Sequence, residues 1–251
     1  MKVLIAIAFS ILLIGQSSAQ LAAQHRPGQR GRALDQLGLT HGQKEKLIGT
    51  LRSNRMEAQQ VRRALMEERE QFRVRCDQYQ LDAARAREIM TKVNRLQLAM
   101  LKVSLDRQLR LRSVLNPDQL AQLNRIEGAE QGRGLHGKAG PQLGLSADQR
   151  DAIGKLWKSQ SKGMDEAHRS MSTDLAAIDR AYNGYRLDER AARHLISRIN
   201  QAQLRHMQVR LEWQIEMRKI LSEEQFRTLT QHVKRSFGQP SRRWGGPGRQ
   251  H

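Results

Sequence analysis

The amino-acid sequence of 251 residues repeats itself at an offset of 106 residues. Residues 37–43 (LGLTHGQ) recur as residues 143–149 (LGLSADQ), and residues 79–82 (YQLD) recur as residues 185–188 (YRLD). Further identical pairs keep the same offset without a gap: Asn94 and Asn200, Gln97 and Gln203, Val103 and Val209, Gln108 and Gln214, Leu115 and Leu221, and Gln119 and Gln225. Self-similarity at a fixed offset is the signature of a duplicated structural unit. The sequence therefore predicts two copies of one fold unit.

Composition marks the boundaries of the two copies. The first copy spans residues 33–127 and the second spans residues 140–236, with a glycine-rich segment at 128–139 that is typical of a flexible linker. Residues 20–32 and 237–251 combine Gly, Pro and Arg with little apolar content, which predicts disordered basic segments.

Residues 1–19 have the features of a cleavable export signal. Lys2 supplies a positive charge, residues 3–14 form an apolar run, and Ala19 ends a small-residue cleavage site. The run is short for a membrane span, and no later stretch of about 18 residues is free of charged side chains. We therefore expect an exported, periplasmic protein that is not an integral membrane protein. A retained N-terminal anchor is the alternative.

Four predicted helix starts share one short motif, which reads LTHGQ, LNPDQ, LSADQ and LSEEQ. The Thr, Asn or Ser can cap a free backbone N–H of the helix, while the Gln three residues later reaches back to the cap residue. The preceding leucine can fix the angle at which the chain enters the helix. We assign a structural role to these motif residues: Leu39, Thr40, Gln43, Leu115, Asn116, Gln119, Leu145, Ser146, Gln149, Leu221, Ser222 and Gln225.

Apolar periodicity predicts two long helices in each copy, joined by a short turn into a helical hairpin. In the first copy, the first helix carries one apolar stripe. The second helix carries two, one of them formed by Leu98, Leu101, Leu105 and Leu109. A single partner helix can cover only one stripe. The second stripe therefore predicts packing against the other copy, another chain or a client. The fold class is all-α, with two tandem hairpin units.

Paired motifs that bracket a basic helical hairpin resemble the Spy and CpxP family of periplasmic proteins. The resemblance covers residues 37–126 and 143–233. It implies a cradle-shaped homodimer of thin hairpins whose concave, positively charged and partly apolar surface holds unfolded clients. The family also includes an envelope-stress modulator and zinc-responsive members. This sequence departs from the pattern by carrying two units in one chain. We therefore expect an intramolecular pseudo-dimeric cradle, with self-association as the alternative.

The formal net charge of +19 favours anionic partners. Together with the resemblance, it predicts an ATP-independent, chaperone-like protein that has no cofactor and binds unfolded or misfolded envelope proteins rather than nucleic acid. Flexible methionines and long-range arginine attraction suit varied clients. The predicted client-binding residues are Met56, Arg62, Arg63, Met66, Arg69 and Arg73. A basic face that is simply solvated is the structural alternative.

The second functional hypothesis is a periplasmic metal-binding or metal-resistance sensor, or an envelope-stress regulator whose partner is a sensor-kinase domain. Met164, His168 and Met171 share a helix face, and their soft ligands would suit copper(I). The repeat, however, aligns both methionines with core positions of the first copy, so ordinary packing explains them. We therefore expect no metal site.

Other reactive side chains are also interpreted as structural. His206 aligns with Met100 on an apolar stripe, which predicts a half-buried structural histidine. Cys76 is the only cysteine, and we expect a buried, inert thiol. The sequence has no glycine-rich phosphate loop, no nucleophile elbow and no His-Glu-x-x-His helix, so we do not expect an enzyme.

Overall fold

The computed structural model describes residues 37–128 and 143–237. All regular structure in this part of the chain is α-helical, which confirms the all-α part of the predicted fold class. The helices are α1 (His41–Cys76), α2 (Ala83–Val114), α3 (Pro117–Gly128), α4 (Ala147–Asn183), α5 (Glu189–Ile220) and α6 (Glu223–Phe237). The predicted export signal, the basic N-terminal segment, the linker beyond Gly128 and the tail beyond Phe237 lie outside the described residues.

The two copies begin their helices at the same offset of 106 residues that relates their sequences. The starts form three pairs: His41 and Ala147, Ala83 and Glu189, and Pro117 and Glu223. Residues that cap the helices recur at this offset, and a cap fixes where the first turn begins. The duplication in sequence is therefore a duplication of helix boundaries.

Each of the four motifs forms the two reciprocal hydrogen bonds of a capping box. At the start of α1, the Gln43 N–H donates to the Thr40 hydroxyl at 3.3 Å, and the Thr40 N–H donates to Gln43 Oε1 at 3.0 Å. Equivalent pairs of bonds join the cap residue and the glutamine at the starts of α3, α4 and α6. The carboxylates of Asp82 and Asp188, the residues just before the inner helices α2 and α5, cap the starts of these helices.

The motif glutamines also connect different helices. While Oε1 of Gln43 serves its own cap, its Nε2 donates to the Val114 carbonyl at the end of α2, at 3.0 Å. Gln119 Nε2 donates in turn to the Leu37 carbonyl in the turn before α1, at 3.2 Å. In the second copy, Gln149 Nε2 donates to the Ile220 carbonyl at 2.9 Å. The motifs therefore close the open end of each pair of long helices.

A left-handed glycine shapes the turn that enters each copy. Gly38 has φ of 59° and Gly144 has φ of 57°, a region that side-chain-bearing residues rarely adopt. The Gly144 carbonyl accepts a hydrogen bond from Gln225 Nε2 at 3.4 Å. The turn thus presents its carbonyls to the second motif of the same copy.

Helix α1 packs against α2, α4 packs against α5, and the two inner helices α2 and α5 pack against each other. The stripe formed by Leu98, Leu101, Leu105 and Leu109 lies in one apolar cluster with residues of α4 and α5. Its counterpart on α5, formed by Leu204, Met207, Leu211 and Ile215, lies in a cluster with residues of α1 and α2. The sequence left three possible packing partners for the second stripe: the other copy, another chain or a client. In the structure, the second stripe packs against the other copy. Full burial of a leucine, as at Leu105, contributes about 2 kcal/mol.

Replacing Gln119 should test the double role of the motif glutamine. We expect Gln119→Ala to lower the free energy of unfolding by about 2 kcal/mol, because the Asn116 N–H and the buried Leu37 carbonyl both lose their partners. Urea denaturation followed by circular dichroism measures the change. Gln59→Ala, at an exposed position of α1, is the control and should change stability by less than about 0.5 kcal/mol. Equal effects of the two substitutions would contradict the double role.

Candidate functional site

Four large apolar side chains of α1 are directed towards solvent. Ile48, Met56, Met66 and Val74 are between 46% and 64% exposed. With a rotation of about 100° per residue, the four positions fall within about 80° of the helix circumference. The buried Leu47 and Leu65 lie on the opposite side of α1, towards α2. The apolar residues therefore form a stripe along the outside of the helix.

Arginines are interspersed with these apolar side chains. Arg52, Arg55 and Arg63 are exposed on the same side of α1, and no ion pair joins them to a carboxylate within residues 37–128 and 143–237. We call the surface formed by these three arginines together with Ile48, Met56, Met66 and Val74 the α1 outer face. It combines apolar area with arginines that have no ion-pair partner in the described residues, alongside the exposed Glu45 and Glu70, which pair with His41 and Arg73.

The six predicted client-binding residues lie in different environments in the structure. Met56, Met66 and Arg63 lie on the α1 outer face. Arg73 is exposed but forms ion pairs with Glu70 and, at 2.9 Å, with Asp77. The hydrogen bonds from Arg73 to Glu70 are the main cause of its raised pKa.

The other two predicted arginines lie at the margin of the core. Arg62 and Arg69 are half-buried, and burial lowers the pKa of Arg69. Both positions lie on the flank of α1 between its exposed and its buried side, so they contribute less exposed charge than Arg63, and their part in client binding stays a prediction. Four other residues of the α1 outer face were not predicted from the sequence, although a helical projection of the side opposite the core stripe identifies them: Ile48, Arg52, Arg55 and Val74.

The second copy has no equivalent apolar stripe on its outer helix. Gly154, Ser172 and Arg180 of α4 occupy the positions of Ile48, Met66 and Val74. The only large hydrophobic residue of the described second copy that is exposed is Tyr185, which lies after α4. The two outer helices therefore have equivalent positions in the fold but different surfaces.

The weak metal candidates do not present a common ligand surface. Met171 is buried, Met164 is half-buried and His168 is exposed. Within the described parts of both copies, no group of three or more His, Cys, Asp or Glu side chains is placed to hold a metal ion.

Cys76, predicted to be buried, is half-buried at the end of α1. Burial raises the pKa of its thiol to about 11, although the positive charges of Arg218 and Arg210 act in the opposite direction. The thiol is therefore protonated at neutral pH, and a protonated thiol is a poor nucleophile.

His206 is more deeply buried than the sequence analysis predicted, with 4% of its surface exposed. Its Nδ1 has no hydrogen-bond partner among the residues that the structure describes. Burial lowers its pKa to about 4, and the charges of Arg210 and His168 act in the same direction. The imidazole is therefore neutral near pH 7 and serves as part of the core.

None of the helices in residues 37–128 and 143–237 combines the length and the apolar content that crossing a membrane requires. No family model matches the chain, and no curated protein or solved structure is significantly similar to it. The geometry of the described residues, together with the sequence motifs, is therefore the basis for assigning a function.

His206 should make the protein sensitive to acid. Its pKa is about 4 in the folded state and about 6.5 in the unfolded state, so the stability that its neutral form contributes is lost as the pH falls from 6.5 to 4. The loss should reach at most about 3 kcal/mol. His206→Met, which installs the residue found at position 100, should remove this part of the pH dependence. Urea denaturation between pH 7.5 and 4 measures it.

The exposed His194 provides the control for the pH experiment. His194→Gln should leave the pH dependence of stability unchanged. If His206→Met retains the full pH dependence of the unsubstituted protein, His206 is not the group responsible.

Proposed function

We propose that this protein is an ATP-independent, chaperone-like binding protein of the periplasm, which holds unfolded or misfolded envelope proteins on the α1 outer face. The observation that carries the proposal is the exposed apolar stripe of α1 with its unpaired arginines. Exposed apolar side chains that share one side of a helix and are flanked by charged residues suit a site that binds other polypeptides.

The dimensions of the stripe suit an extended polypeptide. Ile48 and Val74 are separated by 26 residues of one helix, which corresponds to about 39 Å at 1.5 Å per residue. An extended segment of about 12 residues has the same length. Such a segment could place apolar side chains against Met56 and Met66, whose unbranched side chains adapt to neighbours of different shape.

The charges of the α1 outer face favour acidic or weakly acidic clients. Arg52, Arg55 and Arg63 add local positive charge to a chain whose formal net charge is +19. Long-range attraction accelerates the encounter with anionic segments, while the apolar side chains prolong the complex. This combination needs no nucleotide, because weak contacts can form and break at thermal equilibrium.

We further propose that the two copies are tandem hairpins that form a pseudo-dimeric cradle within one chain. The packing of α2 against α5 and the duplicated helix boundaries support this arrangement. The four interlocking motifs support membership of the Spy and CpxP-like family, and the pattern of residues 1–19 supports export to the periplasm.

Exchanging two methionines for the residues at the equivalent second-copy positions should test the α1 outer face. Met56→Lys/Met66→Ser should weaken suppression of client aggregation at least about tenfold in the concentration required, because burial of a methionine contributes about 2 kcal/mol. Light scattering of a reduced, unfolding client at near-equimolar ratio, with chelator and without nucleotide, measures the effect.

A double variant of the same helix controls for the added charge and for the serine. Gln60→Lys/Gln71→Ser changes two exposed residues and retains all four apolar side chains of the stripe. It should suppress aggregation as well as the unsubstituted protein does. Absence of suppression by the unsubstituted protein at any ratio would overturn the proposed function. Equal loss in both variants would exclude the stripe as the binding surface.

A further inference from the structure

The turn between the long helices of each copy is held by an arginine of the other copy. Residues 77–82, which we call the first tip, follow α1. Arg218 of α5 donates to the carbonyls of Cys76 at 2.6 Å, Gln78 at 2.8 Å and Tyr79 at 3.0 Å. These carbonyls belong to the last residue of α1 and to the tip beyond it, where no helical N–H remains to satisfy them.

The reciprocal contact involves the second tip, residues 184–188 after α4. Arg112 of α2 stands 106 positions before Arg218, and it donates to the carbonyls of Tyr182 at 2.7 Å and Tyr185 at 2.9 Å, as well as to that of Gly184. The glutamine four residues before each arginine fixes its guanidinium in both halves. Each inner helix therefore holds the tip of the opposite copy.

The first tip has additional contacts that use a tyrosine and a phenylalanine. The Tyr79 hydroxyl lies within hydrogen-bond distance of two carbonyls, Arg218 at 3.1 Å and Leu221 at 3.0 Å. Its ring packs edge-on against Phe226 with centroids 5.8 Å apart. The Arg218 guanidinium lies 4.2 Å from the centroid of the same phenylalanine ring. We call this set of contacts the aromatic latch.

The second tip lacks the aromatic latch. The residue equivalent to Phe226 is Leu120, which offers no ring to an arginine or a tyrosine. Tyr185, the equivalent of Tyr79, is 41% exposed. Within the described residues, its hydroxyl takes part in no hydrogen bond. Among the described residues, the Arg112 contacts, a side-chain hydrogen bond between Tyr182 and Ser104, and the apolar packing beneath the tip hold this turn.

We propose that the second tip is the part of the molecule that opens first, and that its opening exposes an additional apolar binding surface on α2. Leu105 and Leu109 share a cluster with Leu187 of the second tip and with Ile178 and Tyr182 in the last two turns of α4, as well as with residues of α5. When the tip and the end of α4 move away, the two leucines lose the part of their cover that these three residues provide. The exposed surface would accept apolar segments of an unfolded polypeptide. The opening itself does not depend on the function proposed for α1.

Hydrogen–deuterium exchange of the full chain compares the two tips directly. Backbone amides around residues 184–190 should exchange at least about tenfold faster than those around 78–84, after correction for intrinsic rates, because the contacts of Tyr79 and Phe226 add to the arginine clamp at the first tip and have no aromatic counterpart at the second. Equal protection of the two tips, or slower exchange at the second tip, would overturn the proposal.

Matched substitutions assign the difference to the aromatic latch. Tyr79→Phe removes a hydroxyl with two carbonyl neighbours and should accelerate exchange at the first tip severalfold, whereas Tyr185→Phe should leave the second tip unchanged. Neither change alters core volume. If Tyr185→Phe accelerates exchange at the second tip as much as Tyr79→Phe does at the first, the Tyr79 hydroxyl is not the cause of the difference between the tips.

A dye that fluoresces on apolar surfaces reports the exposure of α2. Arg112→Gln should increase anilinonaphthalene sulfonate fluorescence more than Arg218→Gln does, because the first tip retains the contacts of Tyr79 when its arginine is lost. Leu105→Ser added to Arg112→Gln should reduce that increase. A larger increase for Arg218→Gln, or no increase for Arg112→Gln, would contradict opening at the second tip. These readouts involve no client, so they can succeed or fail independently of aggregation suppression.

Discussion

Helices α2 and α5 each carry two apolar stripes, and an outer helix can cover only one of them. The second stripe of α2 meets the second copy, and the equivalent stripe of α5 meets the first, so that Leu105 and Leu211 are both almost fully buried. This mutual burial explains why so few aromatic residues suffice for a chain of this length. Each copy is a thin helical layer, and the two layers together bury the apolar stripes that neither could bury alone. The outer helices consequently need only one apolar side, and their other side is free to vary.

The duplication separates structural positions from positions that have diverged. Capping residues, motif glutamines and the two clamping arginines keep their identity or chemistry across the offset, because each satisfies backbone groups that both copies must satisfy. Divergence occurs where the backbone makes no such demand. Met66 has Ser172 as its counterpart, and Phe226 has Leu120. The first difference contributes to an exposed apolar stripe that only α1 carries. Because of the second difference, only the first tip has the aromatic latch. Both asymmetries arise on a nearly symmetric scaffold.

The sequence predicted the helices well because their determinants are local. A cap residue, a glutamine three positions later and a periodic stripe lie within a few turns of one another, and the repeat provides each of them twice. Contacts between distant residues could not be predicted in the same way. The bond from Gln43 to the Val114 carbonyl depends on the end of α2 returning to the start of α1, and nothing local marks Arg218 as a ligand for the first tip. Arginine composition does not reveal which positions border the core, so the half-burial of Arg62 and Arg69 could not be predicted from the sequence.

Net charge alone therefore overstates the basic surface that is exposed to solvent. The sequence has 44 lysines and arginines, but their roles differ. The guanidinium groups of Arg112 and Arg218 bind backbone carbonyls, and burial lowers the pKa of both. Arg73 and Arg198 are paired with carboxylates. Arginines such as Arg52, Arg55 and Arg63, which border exposed apolar side chains and have no acidic partner in the described parts of the chain, can contribute both attraction and contact. Under the proposed function, salt should act on client encounter through these exposed arginines, while the clamps, shielded by close contacts with carbonyls, should be affected less.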